Sequence, residues 1–202
     1  MAENLAKKTD GFDQPGQNIE RFEKIDKKVA ELQAQIESLS RETPENKLSI
    51  IAFSGDLDKA LASLIIATGA VAMGMDVVMF FTFWGTPLLR DGKKKVGGKD
   101  MMGKMFGKML PKGAGKPKLS KMNMGGMGTA MMKSLMEKKN VASLEELLDL
   151  AGELGVRIFI CEMTMDLMGF KREEMVDYPG LNYAGVATFL EEAKNSKVQL
   201  FI

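Results

Sequence analysis

The residue whose type most suggests chemistry is Cys161, the only cysteine in the 202-residue chain. It follows an apolar run at residues 156–160, which predicts a buried strand, and precedes a segment of helical character from Glu162 to Met168. Backbone N–H groups at the start of a helix favour the thiolate, the nucleophilic form of cysteine. We therefore interpret Cys161 as a nucleophile, with a buried, inert thiol at the edge of a sheet as the alternative.

Histidine is absent from the sequence. This excludes a Ser-His-Asp triad, a Cys-His pair, a histidine-ligated zinc and an imidazole general base. Any chemistry must therefore use sulfur, carboxylates, lysines or backbone donors.

Size and composition indicate one domain of ordinary size with room for an appendage, since 45% of the residues are hydrophobic. A single cysteine cannot form an internal disulfide. The first ten residues lack the apolar core of a signal peptide, and no apolar run reaches the roughly 18 residues of a membrane span. We expect a cytoplasmic protein without a membrane span.

The N-terminal part of the sequence predicts a flexible start at residues 1–18, followed by a helix at residues 19–43. The apolar residues of this helix recur at spacings of three and four, at Phe22, Ile25, Val29, Leu32, Ile36 and Leu39. This pattern fits an amphipathic helix packed on its own domain, and it equally fits a coiled coil that joins subunits.

From residue 47 onward, short apolar runs alternate with helical segments, which predicts a three-layer α/β domain with four or five mainly parallel strands over residues 47–202. The predicted strands are 48–53, 76–83, 156–160 and 198–202. The predicted helices are 57–73, 144–154 and 184–193.

Three loops are expected at the carboxyl ends of these strands, where sites form in such folds. They contain Ser54, Gly55 and Asp56 after the first strand, Trp84 after the second, and Cys161 after the third. The first loop lacks the glycine-rich nucleotide motifs, and the carboxylate of Asp56 would discourage an anion. We therefore expect no nucleotide or other cofactor at this loop.

An insertion at residues 91–136 separates the second strand from the third. Ten lysines and one acid lie between Gly92 and Lys121, and ten of the eighteen methionines lie between Met101 and Met136. This composition leaves three interpretations open: a mobile lid or subunit contact over the rim, a surface for an acidic partner or a membrane surface, and a thioether site for Cu(I). We expect no nucleic acid, because Phe106 is the only aromatic residue of the basic block.

Four runs of sequence carry a resemblance to a known family. They are FSGDLDK at 53–59, FFTFWG at 80–85, SKMNMGGMG at 120–128 and CEMTMDLMG at 161–169. Over about residues 47–202 the chain resembles the DsrE/DsrF-like family, in a branch with a methionine-rich insertion. The resemblance implies a Rossmann-like α/β domain, homo- or hetero-oligomers, and the passage of sulfane sulfur as a cysteine persulfide. A two-cysteine peroxidase cycle within one subunit is not expected, since there is no second cysteine.

On this basis the sequence predicts a sulfurtransferase or sulfur carrier that holds a persulfide on Cys161, within a homo-oligomer. Its partners would be thiol or persulfide donor and acceptor proteins, and the exchange needs neither a metal nor a cofactor. Supporting roles are predicted for a positive charge from Lys59, a hydrogen bond from Thr164, and shielding from water by Trp84, Met163 and Met165. The alternatives are a non-catalytic oligomeric adaptor with a structural Cys161 and a redox-sensing thiol protein.

Overall fold

The computed structural model describes residues 15–42, 44–94, 96–99 and 101–202. The chain divides into two compact units, Met1–Thr43 and Pro44–Ile202. In the first unit, helix α1 spans Pro15–Glu42, so it begins four residues before the predicted start, and residues 1–14 of the predicted flexible segment lie outside the described residues. The predicted apolar stripe of α1 is 45 to 65% exposed. None of the helices in the described ranges is long and apolar enough to cross a membrane.

The second unit contains a five-stranded, all-parallel sheet with helices on both sides, which confirms the predicted α/β class. The strands are β1 (Glu45–Ala52), β2 (Asp76–Phe81), β3 (Arg157–Cys161), β4 (Leu181–Ala184) and β5 (Ser196–Phe201), in the spatial order β4-β3-β2-β1-β5. The helices are α2 (Leu57–Ala72), α3 (Met101–Met109), α4 (Met127–Lys138), α5 (Leu144–Glu153), α6 (Glu162–Met168) and α7 (Val186–Lys194). Short 3-10 turns occur at Phe83–Leu89, Met124–Gly126 and Arg172–Glu174.

The two faces of the sheet belong to different apolar clusters. Ile158 and Ile160 of β3 lie in the main core with residues of α2 and α5, whereas Phe159 and Cys161 lie in a second cluster with Phe189 of α7. This division follows from the period of two along a strand. Because both faces are covered, the central strands are mostly apolar on both faces.

Two of the boundaries that differ from the prediction do so for local reasons. β2 ends at Phe81 rather than at residue 83, because Phe83 has a φ of 44° and begins the 3-10 turn. The helix predicted at 184–193 begins at Val186, because Ala184 belongs to β4 and pairs with Cys161 of β3. β4 is a four-residue edge strand that the sequence pattern did not predict.

The insertion is attached to the start of α2 and to the turn after β2. Asp58 accepts hydrogen bonds from the backbone N–H and the hydroxyl of Ser120, at 2.8 and 2.6 Å. Burial by itself raises the pKa of Asp58, but these bonds outweigh it and lower the pKa. The backbone N–H of Leu57 donates to the Lys118 carbonyl at 2.8 Å, and that of Gly113 donates to the Pro87 carbonyl at 3.2 Å. The described part of the insertion therefore forms one wall above the carboxyl edge of the sheet.

Candidate functional site

The loops after β1 and β2 interlock through two glycines. The backbone N–H of Gly85 donates to the carbonyl of Phe53 at 2.9 Å. A Cβ atom on Gly55 would overlap the carbonyl oxygen of Trp84, and one on Gly85 would overlap the carbonyl oxygen of Ala52. Only residues without a side chain permit this approach. The two glycines therefore place Trp84 beside the Ser54 loop.

The segment after β3 joins the same rim through Thr164, which is fully buried. Its hydroxyl accepts a hydrogen bond from the backbone N–H of Phe83 at 3.1 Å and lies 3.0 Å from the hydroxyl of Thr82. The structure thus brings together the three loops that the sequence singled out. These two contacts orient the Thr164 hydroxyl towards the turn that begins at Phe83.

A large cleft of about 1090 Å³ lies between this rim and the insertion. Five of the predicted site residues line it: Ser54, Gly55, Asp56, Lys59 and Trp84. The ammonium of Lys59 pairs with Asp56 at 2.9 Å, and the Ser54 hydroxyl donates to the same carboxylate oxygen at 2.9 Å. Trp84 is 46% exposed.

Cys161 is not among the described residues that line the cleft. It is 4% exposed, and it belongs to the second cluster, on the α7 side of the sheet, with Val78, Phe80, Phe159, Ala184 and Phe189. The rings of Phe80 and Phe189 stack there with centroids 5.1 Å apart. The thiol is therefore surrounded by apolar side chains and lies apart from the cleft.

The two methionines predicted to shield Cys161 have different environments. Met163 of α6 is 57% exposed, whereas Met165 is 4% exposed and lies in the main core. The main core and the cluster that contains Cys161 lie on opposite faces of the sheet. Shielding of the thiol comes instead from Phe80 and Phe189, whose involvement depends on strand order and could not be predicted from the local sequence.

The floor of the cleft contains a buried ion cluster that the sequence pattern did not reveal. Arg90 donates to one carboxylate oxygen of Glu174 from Nε at 3.1 Å and from Nη2 at 2.9 Å, and Lys99 donates to the other oxygen. Burial by itself raises the pKa of Glu174, but the hydrogen bonds from Lys99, the Lys171 N–H and Arg90 lower it below its ordinary value. The one sequence signal for this cluster is the charged residue Arg90, which directly follows the buried pair Leu88 and Leu89.

A second ion cluster fastens α7 over the face that contains Cys161. Arg157 donates to both carboxylate oxygens of Glu192, at 2.6 and 3.0 Å, and Lys47 donates to one of them at 3.0 Å. The hydrogen bond from Arg157, opposed by burial and reinforced by Lys47, lowers the pKa of Glu192 from 4.5 to about 2. Since Glu192 lies on α7, Lys47 on β1 and Arg157 on β3, the cluster joins the helix to two strands.

The described residues contain no group of three or more histidine, cysteine, aspartate or glutamate side chains placed to hold a metal ion. Among the methionines of the insertion, Met101, Met105 and Met109 of α3 are 82, 47 and 65% exposed.

Comparison with known proteins assigns the second unit to a protein family. The model of the DsrE/DsrF/DrsH-like family matches residues 44–201 of this chain. The chain belongs to this family. The match begins at the first residue of the second unit, so the DsrE-like part of the chain is the α/β domain with its insertion.

Two relatives of this DsrE-like chain cover most of its length. The uncharacterized protein YrkE of Bacillus subtilis is 47% identical over 156 residues, which are 77% of this chain and 96% of that protein. The sulfur carrier protein DsrE2 of Allochromatium vinosum is 41% identical over 170 residues, which are 78% of this chain and 99% of that protein.

Proposed function

We propose that this DsrE-like protein acts in sulfur relay and carries sulfane sulfur as a persulfide on Cys161. One observation carries the proposal: the only cysteine of a chain that is 41% identical to a sulfur carrier protein lies at the carboxyl end of the third strand. Sulfur transfer between proteins requires a nucleophilic sulfur atom, and Cys161 is the only thiol this chain offers.

The proposed transfer is balanced and needs no external oxidant. The Cys161 thiolate attacks the outer sulfur of a donor persulfide, the sulfur–sulfur bond of the donor breaks, and the donor leaves as a thiolate. The persulfide then resides on Cys161. An acceptor thiolate attacks its outer sulfur, and Cys161 is released as a thiolate.

The surroundings of Cys161 suit storage of a persulfide. Cys161 lies in the apolar cluster that contains Phe80 and Phe189, and its exposure of 4% keeps water away. An apolar enclosure protects a reactive intermediate from side reactions. The same burial requires a local movement of the cover before a donor or acceptor protein reaches the sulfur, so we propose that docking of the partner opens this face.

One observation favours a second candidate function, namely the low exposure of Cys161. A cysteine buried among phenylalanines also fits a structural thiol, because free cysteine is among the most buried residue types. In that case the protein is an oligomeric adaptor, and its partners bind elsewhere on the surface. A redox-sensing thiol that forms intermolecular disulfides is the remaining alternative.

Intact mass spectrometry distinguishes these functions. The reduced protein is incubated with polysulfide, and Cys161→Ser serves as the control. A carrier gains about one sulfur atom, ~32 Da, on the wild type alone, and an added thiol such as glutathione removes it by exchange.

The opposite result is equally informative. If the folded wild type gains no sulfur, but gains it once unfolded in urea, Cys161 is structural and the carrier proposal fails. A redox sensor would instead form disulfide-linked dimers under oxidant, which Cys161→Ser abolishes, without retaining sulfur from polysulfide.

A further inference from the structure

The cleft described above is strongly cationic. Nine cationic and two acidic side chains occur among the described residues that line it: Lys59, Arg90, Lys94, Lys99, Lys104, Lys108, Lys112, Lys116 and Lys118, against Asp56 and Glu174. A concave wall of one sign concentrates field lines and attracts ligands of the opposite sign.

Several of these charges are already neutralised by nearby carboxylates. Lys59 pairs with Asp56 at 2.9 Å, and Lys94 pairs with Asp177 at 2.8 Å. The ammonium groups of the remaining surface lysines form no ion pair or hydrogen bond with any residue that the structure describes. They are Lys104, Lys108, Lys112, Lys116 and Lys118. The cleft therefore presents five cations without a protein partner in the described ranges.

The floor of the cleft adds buried positive charge. The side chains of Arg90, Lys99 and Glu174 are 4, 9 and 5% exposed, so two cations share one carboxylate away from water. The cluster under α7 differs, because Lys47 also contacts Glu45 at 2.5 Å, which gives two cations and two carboxylates. Charge interactions are stronger where solvent is excluded, so the excess cation in the floor favours an anion in the cleft above it.

The size and lining of the cleft define the class of ligand. A volume of about 1090 Å³ accommodates a molecule far larger than one phosphate ion, and it slightly exceeds the range of small-ligand sites, roughly 300–1,000 Å³. Lys104 and Lys108 lie one turn apart on α3, so two adjacent phosphates of one ligand each meet an ammonium group. Apolar surface comes from Phe53, Trp84 and Leu110.

We propose that this cleft binds a small polyanion with two or more adjacent phosphate groups, held by the lysines of the insertion above the Arg90–Lys99–Glu174 floor. The site is separate from Cys161, which does not line the cleft and lies in the apolar cluster under α7. No glycine-rich phosphate loop is needed, because side-chain ammonium groups and not backbone N–H groups bind the phosphates. The phosphates lie on the insertion side, away from the carboxylate of Asp56.

The single tryptophan offers a direct readout, since Trp84 lines the cleft. The full chain is titrated with inorganic triphosphate at low salt, and binding is followed by tryptophan fluorescence and by calorimetry. We expect saturable binding that weakens as salt screens the lysines. The triple variant Lys104→Gln/Lys108→Gln/Lys112→Gln should raise the Kd at least ~10-fold, because it removes charge-assisted hydrogen bonds.

A matched control separates site binding from net charge. Lys138→Gln/Lys139→Gln/Lys197→Gln removes the same number of charges from exposed lysines outside the cleft, and it should change the Kd by less than ~2-fold. Cys161→Ser should bind triphosphate as the wild type does, so this proposal and the sulfur-carrier proposal can fail independently.

Parallel titrations identify the source of the phosphates. Tighter binding of ATP than of triphosphate, with the difference lost in Trp84→Leu, assigns the site to a nucleotide, whereas equal binding assigns it to a free polyphosphate. The proposal is overturned if triphosphate does not bind saturably or if both triple variants weaken binding equally. It is also overturned if an oligoglutamate peptide or single-stranded DNA binds more tightly than triphosphate, since the cleft would then serve a macromolecule.

Discussion

The cationic cleft at the carboxyl edge of the sheet and the apolar cluster under α7 each adjoin an ion cluster of the same kind, but their characters are opposite. In each, one buried or half-buried carboxylate bridges two cations: Glu174 joins Arg90 and Lys99 under the cleft, and Glu192 joins Arg157 and Lys47 beside the Cys161 cluster. The cleft is open and cationic. The surroundings of Cys161 are closed and apolar.

The apolar surroundings of Cys161 and the cationic cleft suit different tasks. A thiol that holds a reactive sulfur atom benefits from an apolar enclosure, whereas a site that attracts an anion from solution benefits from unpaired surface cations. Cys161 does not line the cationic cleft, so the two are distinct places in the fold. The following variants test that separation.

The largest effect is expected at the floor of the cleft. Glu174→Gln leaves Arg90 and Lys99 buried without their carboxylate, and breaking a buried ion cluster costs about 3–5 kcal/mol. Urea unfolding at neutral pH measures this loss in the free energy of unfolding. Glu173→Gln, at the exposed neighbouring residue, is the matched control and should change it by less than about 0.5 kcal/mol. Equal effects of the two variants would show that the cluster does not support the floor.

The next effect is expected at the cover of Cys161. Phe189→Ala removes the ring that stacks on Phe80, which should lower the free energy of unfolding by about 3 kcal/mol through cavity formation. It should also speed alkylation of Cys161 in the folded state, measured by mass spectrometry with iodoacetamide. Leu190→Ala, at an exposed residue of the same helix, should leave both quantities close to the wild type. An unchanged alkylation rate in Phe189→Ala would mean that another element controls access to the thiol.

A smaller, pH-dependent effect is expected at the cluster that fastens α7. The pKa of Glu192 is lowered from 4.5 to about 2 in the folded protein, so its contribution is fully present above about pH 4.5 and is lost as the pH falls towards 2. Glu192→Gln should lower the free energy of unfolding by about 2 kcal/mol at pH 7. Urea unfolding of both proteins between pH 7 and pH 2 should show this difference shrinking towards zero. A difference that stays constant across this range would rule out the ion pairs as its source.

Much of the fold was predictable from local patterns. The apolar runs that became β1, β2 and β3 are nearly continuous because both faces of the sheet are covered, and the glycines at 74 and 155 mark the ends of the helices before β2 and β3. β4 was missed because a four-residue edge strand with Asn182 and Tyr183 has no distinct period. The rim loops were located correctly because parallel strands bring their carboxyl ends to one edge.

The sequence by itself determined the chemistry that is possible in this protein: one thiol, no imidazole, and an insertion rich in lysine and methionine. The tertiary structure alone decided which of these groups meet. Arg90 and Glu174 are 84 residues apart, and Cys161 and Phe189 lie in different elements, so their contacts depend on strand order and on the face towards which each residue points. Side chains alternate between the faces of a strand, so this alternation puts Cys161 under α7 and separates it from the cleft.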